Sequence, residues 1–218
     1  GEKDPFALRR HALGVLRMLI EKALPVSLNT LIDAAWEAEK AVPGVTDHRE
    51  ELRQFFQDRL RVMLRDAGYT TLEVDAVLAL NPEKLDELPK RLAAVRAFMA
   101  LPEAEALTAA NKRIGNILKK IEGEVPTVVN EALLAEDAEK QLFAAINDVE
   151  PKALQHFAAG EYEQMLATLA VLRGPVDSFF DNVMVNAEDP ALRATRQALL
   201  KRLYDVMNKV AEIARLAK

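Results

Sequence analysis

Five polar side chains crowd one short stretch, "AANKRIGNILKK": Lys112, Arg113, Asn116, Lys119 and Lys120. At helical spacing Lys112, Asn116 and Lys119 share an edge, with Arg113 and Lys120 close by, all flanking the apolar stripe rather than interrupting it. Cations so arranged can track phosphates, and an asparagine among them offers a base both a donor and an acceptor. The plainer account is a solvated face whose long stems cover apolar surface, with lysines at a helix C-terminus. A second stretch, "FFDNVMVNAEDPALRATRQALL" (179–200), poses the same choice. Phe179 and Phe180 most simply enter a core, and Val183 and Met184 can follow them. An exposed aromatic such as Phe180 beside Asn182 instead suits an unstacked base, which needs a stacking plane and an edge partner. Arg193 and Arg196, one helical turn apart, are either partners for Glu188 and Asp189 or contacts to RNA.

A third basic stripe, Arg49, Arg53, Arg61 and Arg65, steps by four with Gln57 in its middle. Glu50, Glu51, Asp58 and Asp66 can pair with many of these, so structural ion pairs are the expected role. Arg59 and Arg61 remain candidates for contacts to a nucleic acid. Enzyme motifs are absent: there is no glycine-rich phosphate loop, no HExxH and no GxSxG. The three histidines, His11, His48 and His156, lie far apart, and none follows a glutamate at the Glu-x-x-His spacing of di-iron bundles. The many carboxylates read as solvated helix faces rather than catalytic pairs, and no catalytic residue and no metal site is expected.

With 218 residues the chain has room for one large or two small domains, and with no cysteine it has neither disulfides nor thiolate ligands. That fits a reducing cytosol. The best apolar stretch, "ALGVLRMLI", is interrupted by Arg17 and is too short for a membrane span. The chain opens "GEKDPF" without a methionine, so Gly1 reads as a residue left by tag cleavage and the whole as a piece of something longer. The net charge of −5 argues against nucleic acid, but it hides a pattern. Lys112 to Lys120 holds four bases and no acid, Ile121 to Glu150 eight acids and one lysine, and Asp189 to Lys218 seven bases and three acids. Folding can bring the two basic segments together.

The elements that must position these residues are helical throughout. Asp4-Pro5 opens a helix with Phe6, Leu13, Leu16 and Ile20 to one side; a second runs from about Leu28 to Lys40. A third, Asp47 to Ala67, carries Leu52, Phe56, Leu60, Met63 and Leu64 on one stripe and stops at Gly68. Shorter helices follow, broken by Asn81-Pro82, Pro89 and Pro102. Leu107, Ala110, Ile114, Ile117, Leu118 and Ile121 mark a clean helix, "EGEVPTVVN" a connection, and Glu131 to Asp148 a further helix. Glu150-Pro151 and Gly174-Pro175 punctuate those after it. Asp189 caps the last helix and Pro190 takes its first position, with Leu192, Leu199 and Leu203 on one face. A boundary near Pro102 divides the chain into 1–101 and 102–218. The expected fold is an all-α helical bundle.

Four stretches also carry a resemblance: "DPFALRRHALGVLRMLIE" (4–21), "FFQDRLRVMLRDAGY" (55–69), "ANKRIGNILKK" (110–120) and "FDNVMVNAEDPALRATRQALL" (180–200). Together, in order and over essentially the whole chain, they resemble the C-terminal part of the β subunit of bacterial two-subunit glycyl-tRNA synthetase. From about Ala106 the chain is also similar to the DALR-type anticodon-binding domain shared with arginyl-tRNA synthetase. Ala110 to Ile114 matches its Ala-x-x-Arg-Ile helix start, and Asp189 to Arg196 its Asp-x-x-x-Arg-x-x-Arg pattern. Thr195 departs from the asparagine expected there, so no base contact is carried over to it.

The resemblance implies a helical arm over 1–101 followed by a DALR-type anticodon-binding domain over 102–218. It implies a cytoplasmic protein whose partners are the anticodon stem-loop of glycine tRNA, the rest of the β subunit and a catalytic α subunit, in an α2β2 tetramer, with no membrane partner. The parent enzyme would join glycine to its tRNA with ATP and magnesium, and no cofactor is expected in this part of it. Glycine anticodons end in two cytosines. Arg113, Asn116, Asn182, Arg193 and Arg196 are then the candidate readers, Lys112, Lys119 and Lys120 the phosphate holders, and Phe180 a stacking plane, with contacts added by Arg59 or Arg61. Two rivals remain: a non-catalytic adaptor or subunit-docking module using the Phe179–Val185 patch, and an enzyme with a carboxylate site.

Overall fold

The computed structural model describes residues 6–217. The expected helix start at Asp4-Pro5 and the reading of Gly1 fall outside them. Among the described residues there is no strand, only an isolated bridge between Ser27 and Lys84. No described helix is long and apolar enough to cross a membrane. The chain forms two compact units, dividing between Leu92 and Ala93.

The first unit packs α1 (Leu8–Glu21), α2 (Leu28–Glu39), α3 (Arg49–Asp66) and α4 (Thr71–Leu78), closed by a short 3₁₀ turn, Leu85–Glu87, and the start of α5 (Leu88–Met99). Two of these helices begin where side-chain chemistry favours it. Ser27 accepts the Thr30 N–H to cap α2, and Thr70 and Glu73 form a reciprocal capping box on α4. Gly68 follows α3 at φ 93°, a conformation that costs glycine little. The core holds Leu16, Leu19, Ile32, Phe56, Leu60, Leu64, Val74, Val77, Leu88 and Leu92. Phe6, expected on the inner side of α1, is exposed, since it precedes the first helical turn. Pro89 lies in the opening turn of α5 rather than breaking a helix, because a missing N–H is harmless there.

The second unit, from Ala93, packs α6 (Ala104–Lys119), α7 (Asp137–Ala158), α8 (Tyr162–Leu169), α9 (Arg173–Asn182) and α10 (Pro190–Met207) around a continuous core. Leu107, Ile114, Leu142, Ile146, Met165, Phe179, Leu199 and Leu203 are fully enclosed. Two proline signals acted otherwise than expected. Pro151 sits inside α7, exposed, so water can take the carbonyl that loses its helical donor. Gly174 and Pro175 lie within the first turn of α9. The helix expected from Glu131 is a 3₁₀ turn, Glu131–Leu133, with α7 starting at Asp137. Gly115 lets α6 approach α10 closely: a Cβ there would stand 3.2 Å from the Tyr204 ring.

A surface cluster of ion pairs marks the start of α3. Asp47 accepts from the Arg49 backbone N–H at 3.1 Å and from its Nη2 at 2.8 Å, while Arg49 Nη1 donates to Asp33 at 3.0 Å. Hydrogen bonding by the Arg49 side chain, then by its backbone, lowers the Asp47 carboxyl to about 2. A carboxyl depressed on folding contributes stability that is present above the ordinary carboxylate range and lost as pH falls through its folded value. A carboxyl-detected NMR titration is therefore expected to place the Asp47 midpoint at about 2. In Arg49→Ala it should rise toward the ordinary aspartate range without fully reaching it, because the backbone N–H at position 49 still donates to the carboxylate.

Candidate nucleic-acid interface

After α9 the chain turns extended at Val183, with φ −115° and ψ 124°, before bending toward α10. Side chains of an extended segment alternate sides. Val183 and Val185 are accordingly buried, at 7% and 9% exposure, while Met184 between them is 72% exposed. Phe179 is fully enclosed and meets Phe180 edge to face at 5.6 Å. The expected apolar patch is thus mostly interior, and a docked protein would find little of it.

What holds this segment is a buried ion pair. Arg196 of α10, 5% exposed, donates Nε to Glu139 of α7 and Nη1 to the Met184 carbonyl at 2.7 Å. The other Glu139 oxygen accepts the Ala135 and Glu136 N–H groups, each at 2.8 Å, completing the start of α7. Arg193, half-buried, donates Nη1 to the Ala187 carbonyl at 2.8 Å. Asp189 accepts the Ala191 N–H at 2.8 Å and caps α10, as its sequence indicates. Thr195 is also turned inward, its hydroxyl accepting the Asn130 N–H at 3.2 Å. Arg196 is therefore an internal brace, out of reach of an RNA, and Arg193 braces the next part of the same segment. Neither pairs with Glu188 or Asp189, because the carbonyls of the connection and the buried Glu139 are the nearer acceptors.

Against this braced segment lies α6. The Arg113 guanidinium stacks 4.2 Å from the Phe180 ring centroid, and both line a cleft of about 540 Å³ with Ile117, Asn182, Met184 and Asn186. Guanidinium N–H groups lie in the stacking plane, so stacking leaves their edge open to hydrogen bonds. Asn182 donates Nδ2 to the Ser178 carbonyl at 2.8 Å, which leaves Oδ1 as an outward acceptor. Lys112, Asn116, Lys119 and Lys120 are exposed, and their side chains make no ion pair or hydrogen bond among the described residues. The second basic segment is different. Arg202 pairs with Glu150 and donates to Asn147 at 2.6 Å, and Lys201 pairs with Asp205. Acidic α7 thus neutralises much of α10, and the basic edge of α6 stands open.

Arg59 and Arg61 belong to the first unit and line no part of this cleft. Arg61 pairs with Asp75 of α4, and Arg59 lies 5.8 Å over Phe55 with its buried Nε unpartnered. Among the described residues no group of three or more histidine or carboxylate side chains converges on a metal position. Sequence reasoning missed Glu139 and the Arg113–Phe180 contact, and Met184, expected to follow Val183 into the core, is instead exposed. Glu139 stands three residues after Glu136, a spacing that marks a helix start and was the one available signal.

Residues 1–79 match the family model described as the glycyl-tRNA synthetase beta subunit, and residues 107–214 match that of the DALR anticodon binding domain. Relatives named glycine–tRNA ligase beta subunit align over all of the chain: 61% identical in Leptothrix cholodnii, 56% in Delftia acidovorans and 55% in Thiobacillus denitrificans. The chain spans only 30 to 31% of the length of these relatives.

Removing one partner of a buried ion pair strands the other charge, at a cost of about 3–5 kcal/mol. Glu139→Ala should lower the unfolding free energy by about that amount in urea titrations. The double variant Glu139→Leu with Arg196→Met should recover most of it, since it removes both charges.

Proposed function

The chain belongs to the glycyl-tRNA synthetase β-subunit family, as the C-terminal portion that carries the DALR anticodon-binding domain, and from that premise we propose that it binds the anticodon loop of glycine tRNA and reads its cytosines. The observation that carries the proposal is the cleft of the second unit, where Arg113 lies over Phe180 and Asn182 offers an open acceptor. An anticodon loop is single-stranded and can splay its bases onto a protein. Cytosine presents adjacent acceptors, O2 and N3, and an amino donor at N4. The in-plane edge of Arg113 suits the two acceptors, and Asn182 Oδ1 suits the amino group. Uracil keeps the O2 acceptor but carries an N–H at position 3 and a carbonyl at position 4, so the contacts at those two positions would set like against like. Its rejection follows from polar groups left unpaired.

Lys112, Lys119 and Lys120 hold phosphates in this reading, and Asn116 lies among them on the same open edge. Arg193 keeps most of its donors after binding Ala187 and can add a backbone contact; Arg196 acts only by bracing the segment from beneath. The first unit serves as a helical arm of the β subunit. Glycine ligation, with its ATP and magnesium, is assigned to the catalytic α subunit, in a cytoplasmic α2β2 tetramer completed by the rest of the β subunit.

Fluorescence anisotropy with glycine tRNA tests this directly. Replacing the two anticodon cytosines by uridines should weaken binding at fixed salt about tenfold or more. Arg113→Ala should weaken binding to the natural tRNA by about tenfold to a hundredfold and narrow its preference over the uridine form. Lys119→Ala should weaken both equally and reduce the slope of log K against log salt by about 0.7. Equal binding of the two tRNAs by the unaltered chain would overturn the reading.

A further inference from the structure

Resting on that reading, we propose that Met184 is a nucleobase wedge: an apolar side chain held out of the protein to pack against the face of an unpaired base entering the Arg113–Phe180 cleft. Single exposed apolar residues are common and need no explanation. Val128 and Val171 are as exposed as Met184 or nearly so. Met184 differs in what holds it there. Its flanking valines are buried, and its own carbonyl is gripped by Arg196, itself fixed by Glu139. Three residues further on, the Ala187 carbonyl is held by Arg193, and Asp189 caps the following helix. Two arginines, a buried carboxylate and a cap thus fix a short segment whose outward apolar side chain is Met184. Mobile, that side chain would lose freedom on binding; on a fixed backbone it loses only its own torsions.

The chemistry suits a base face. A thioether is polarizable and flexible, and sulfur packs favourably against aromatic rings. Met184 lines the same cleft as Phe180 and Arg113, so a base read at its edge by Arg113 presents its face to the other walls. Every base has such a face, so the contact adds affinity without choosing between cytosine and uracil. It involves no phosphate, so it adds nothing to the salt dependence. Reading and wedging are thereby separable: Arg113 carries discrimination, and Met184 carries sequence-tolerant affinity.

The test uses the full 218-residue chain and two hairpin RNAs, one with the paired cytosines of a glycine anticodon in its loop and one with uridines in their place. Met184→Ala should weaken binding to both hairpins by the same factor, about tenfold. The ratio of the two affinities, the salt slope and the midpoint of thermal unfolding should stay unchanged. Met184→Leu should retain most of the affinity, and Met184→Gln, similar in length but polar, should lose it. Unchanged affinity in Met184→Ala and Met184→Gln, with Arg113→Ala still weakening binding, would overturn the wedge and leave the anticodon reading standing. A changed cytosine-to-uridine ratio in Met184→Ala would also overturn it, by making Met184 a reader of base edges. Failure of the unaltered chain to bind either hairpin would remove both.

Discussion

The Glu139–Arg196 pair is the constraint on which the rest of the second unit depends. Both side chains are almost wholly out of water, at 0% and 6% exposure. Desolvating two charges costs several kcal/mol each, and attraction alone seldom returns more than that. The arrangement is tolerable because the remaining valences are used. One Glu139 oxygen takes two backbone N–H groups at the head of α7, and Arg196 adds the Met184 carbonyl. The result is positional: α7, α10 and the connection from α9 meet at one point and cannot slide independently. A hydrophobic cluster of equal volume would stabilise as well, but it would not hold a backbone carbonyl in a chosen direction.

That fixed connection organises the charges around it. Two acids of α7, Glu139 and Glu150, are spent on Arg196 and Arg202, so two cations of α10 are neutralised within the fold. On α6 the opposite holds. The side chains of Lys112, Lys119 and Lys120 make no ion pair or hydrogen bond among the described residues. A chain of net charge −5 thus keeps an open basic edge on one helix, and a polyanion meets the local field rather than the sum. The cations proposed to hold phosphates and the groups proposed to read bases lie on α6 and at the end of α9.

Much of this was legible in the sequence, and the failures have physical causes. The apolar spacing of Leu107 to Ile121 marks α6 because a core-facing helix must repeat near 3.6 residues. Asp189-Pro190 marks the start of α10 because capping and a missing N–H are local chemistry. Pro151 misled because a proline on the wet side of a long helix can be carried by packing on the other side. Burial of charge was the larger blind spot. Glu139 stands among eight acids and Arg196 follows Arg193 at surface spacing, and nothing local says that the two will find each other across 57 residues. A long-range ion pair is a property of the packed fold. On α3 the expected ion pairs did form, Arg61 with Asp75 and Arg53 with Asp33, because acids at helical spacing and on the neighbouring helices lie within reach.

The division between gripping and reading follows from magnitudes. A lysine–phosphate contact yields affinity by releasing counterions, is indifferent to sequence and weakens as salt rises. A base edge set against a mismatched group strands polar atoms out of water, which costs about 1–3 kcal/mol per group and is screened far less. Selectivity therefore has to come from few groups, held rigidly enough that a wrong base cannot be accommodated by a small shift. Arginine suits that position and lysine does not, because its donors are fixed in a plane while the ring beneath holds the plane still. At Arg113 the plane rests on Phe180, Phe180 rests edge-on against the enclosed Phe179, and the chain beyond is fixed through Arg196 to Glu139. The cost of the buried charges is thus returned as orientation beside the surface proposed to read a base.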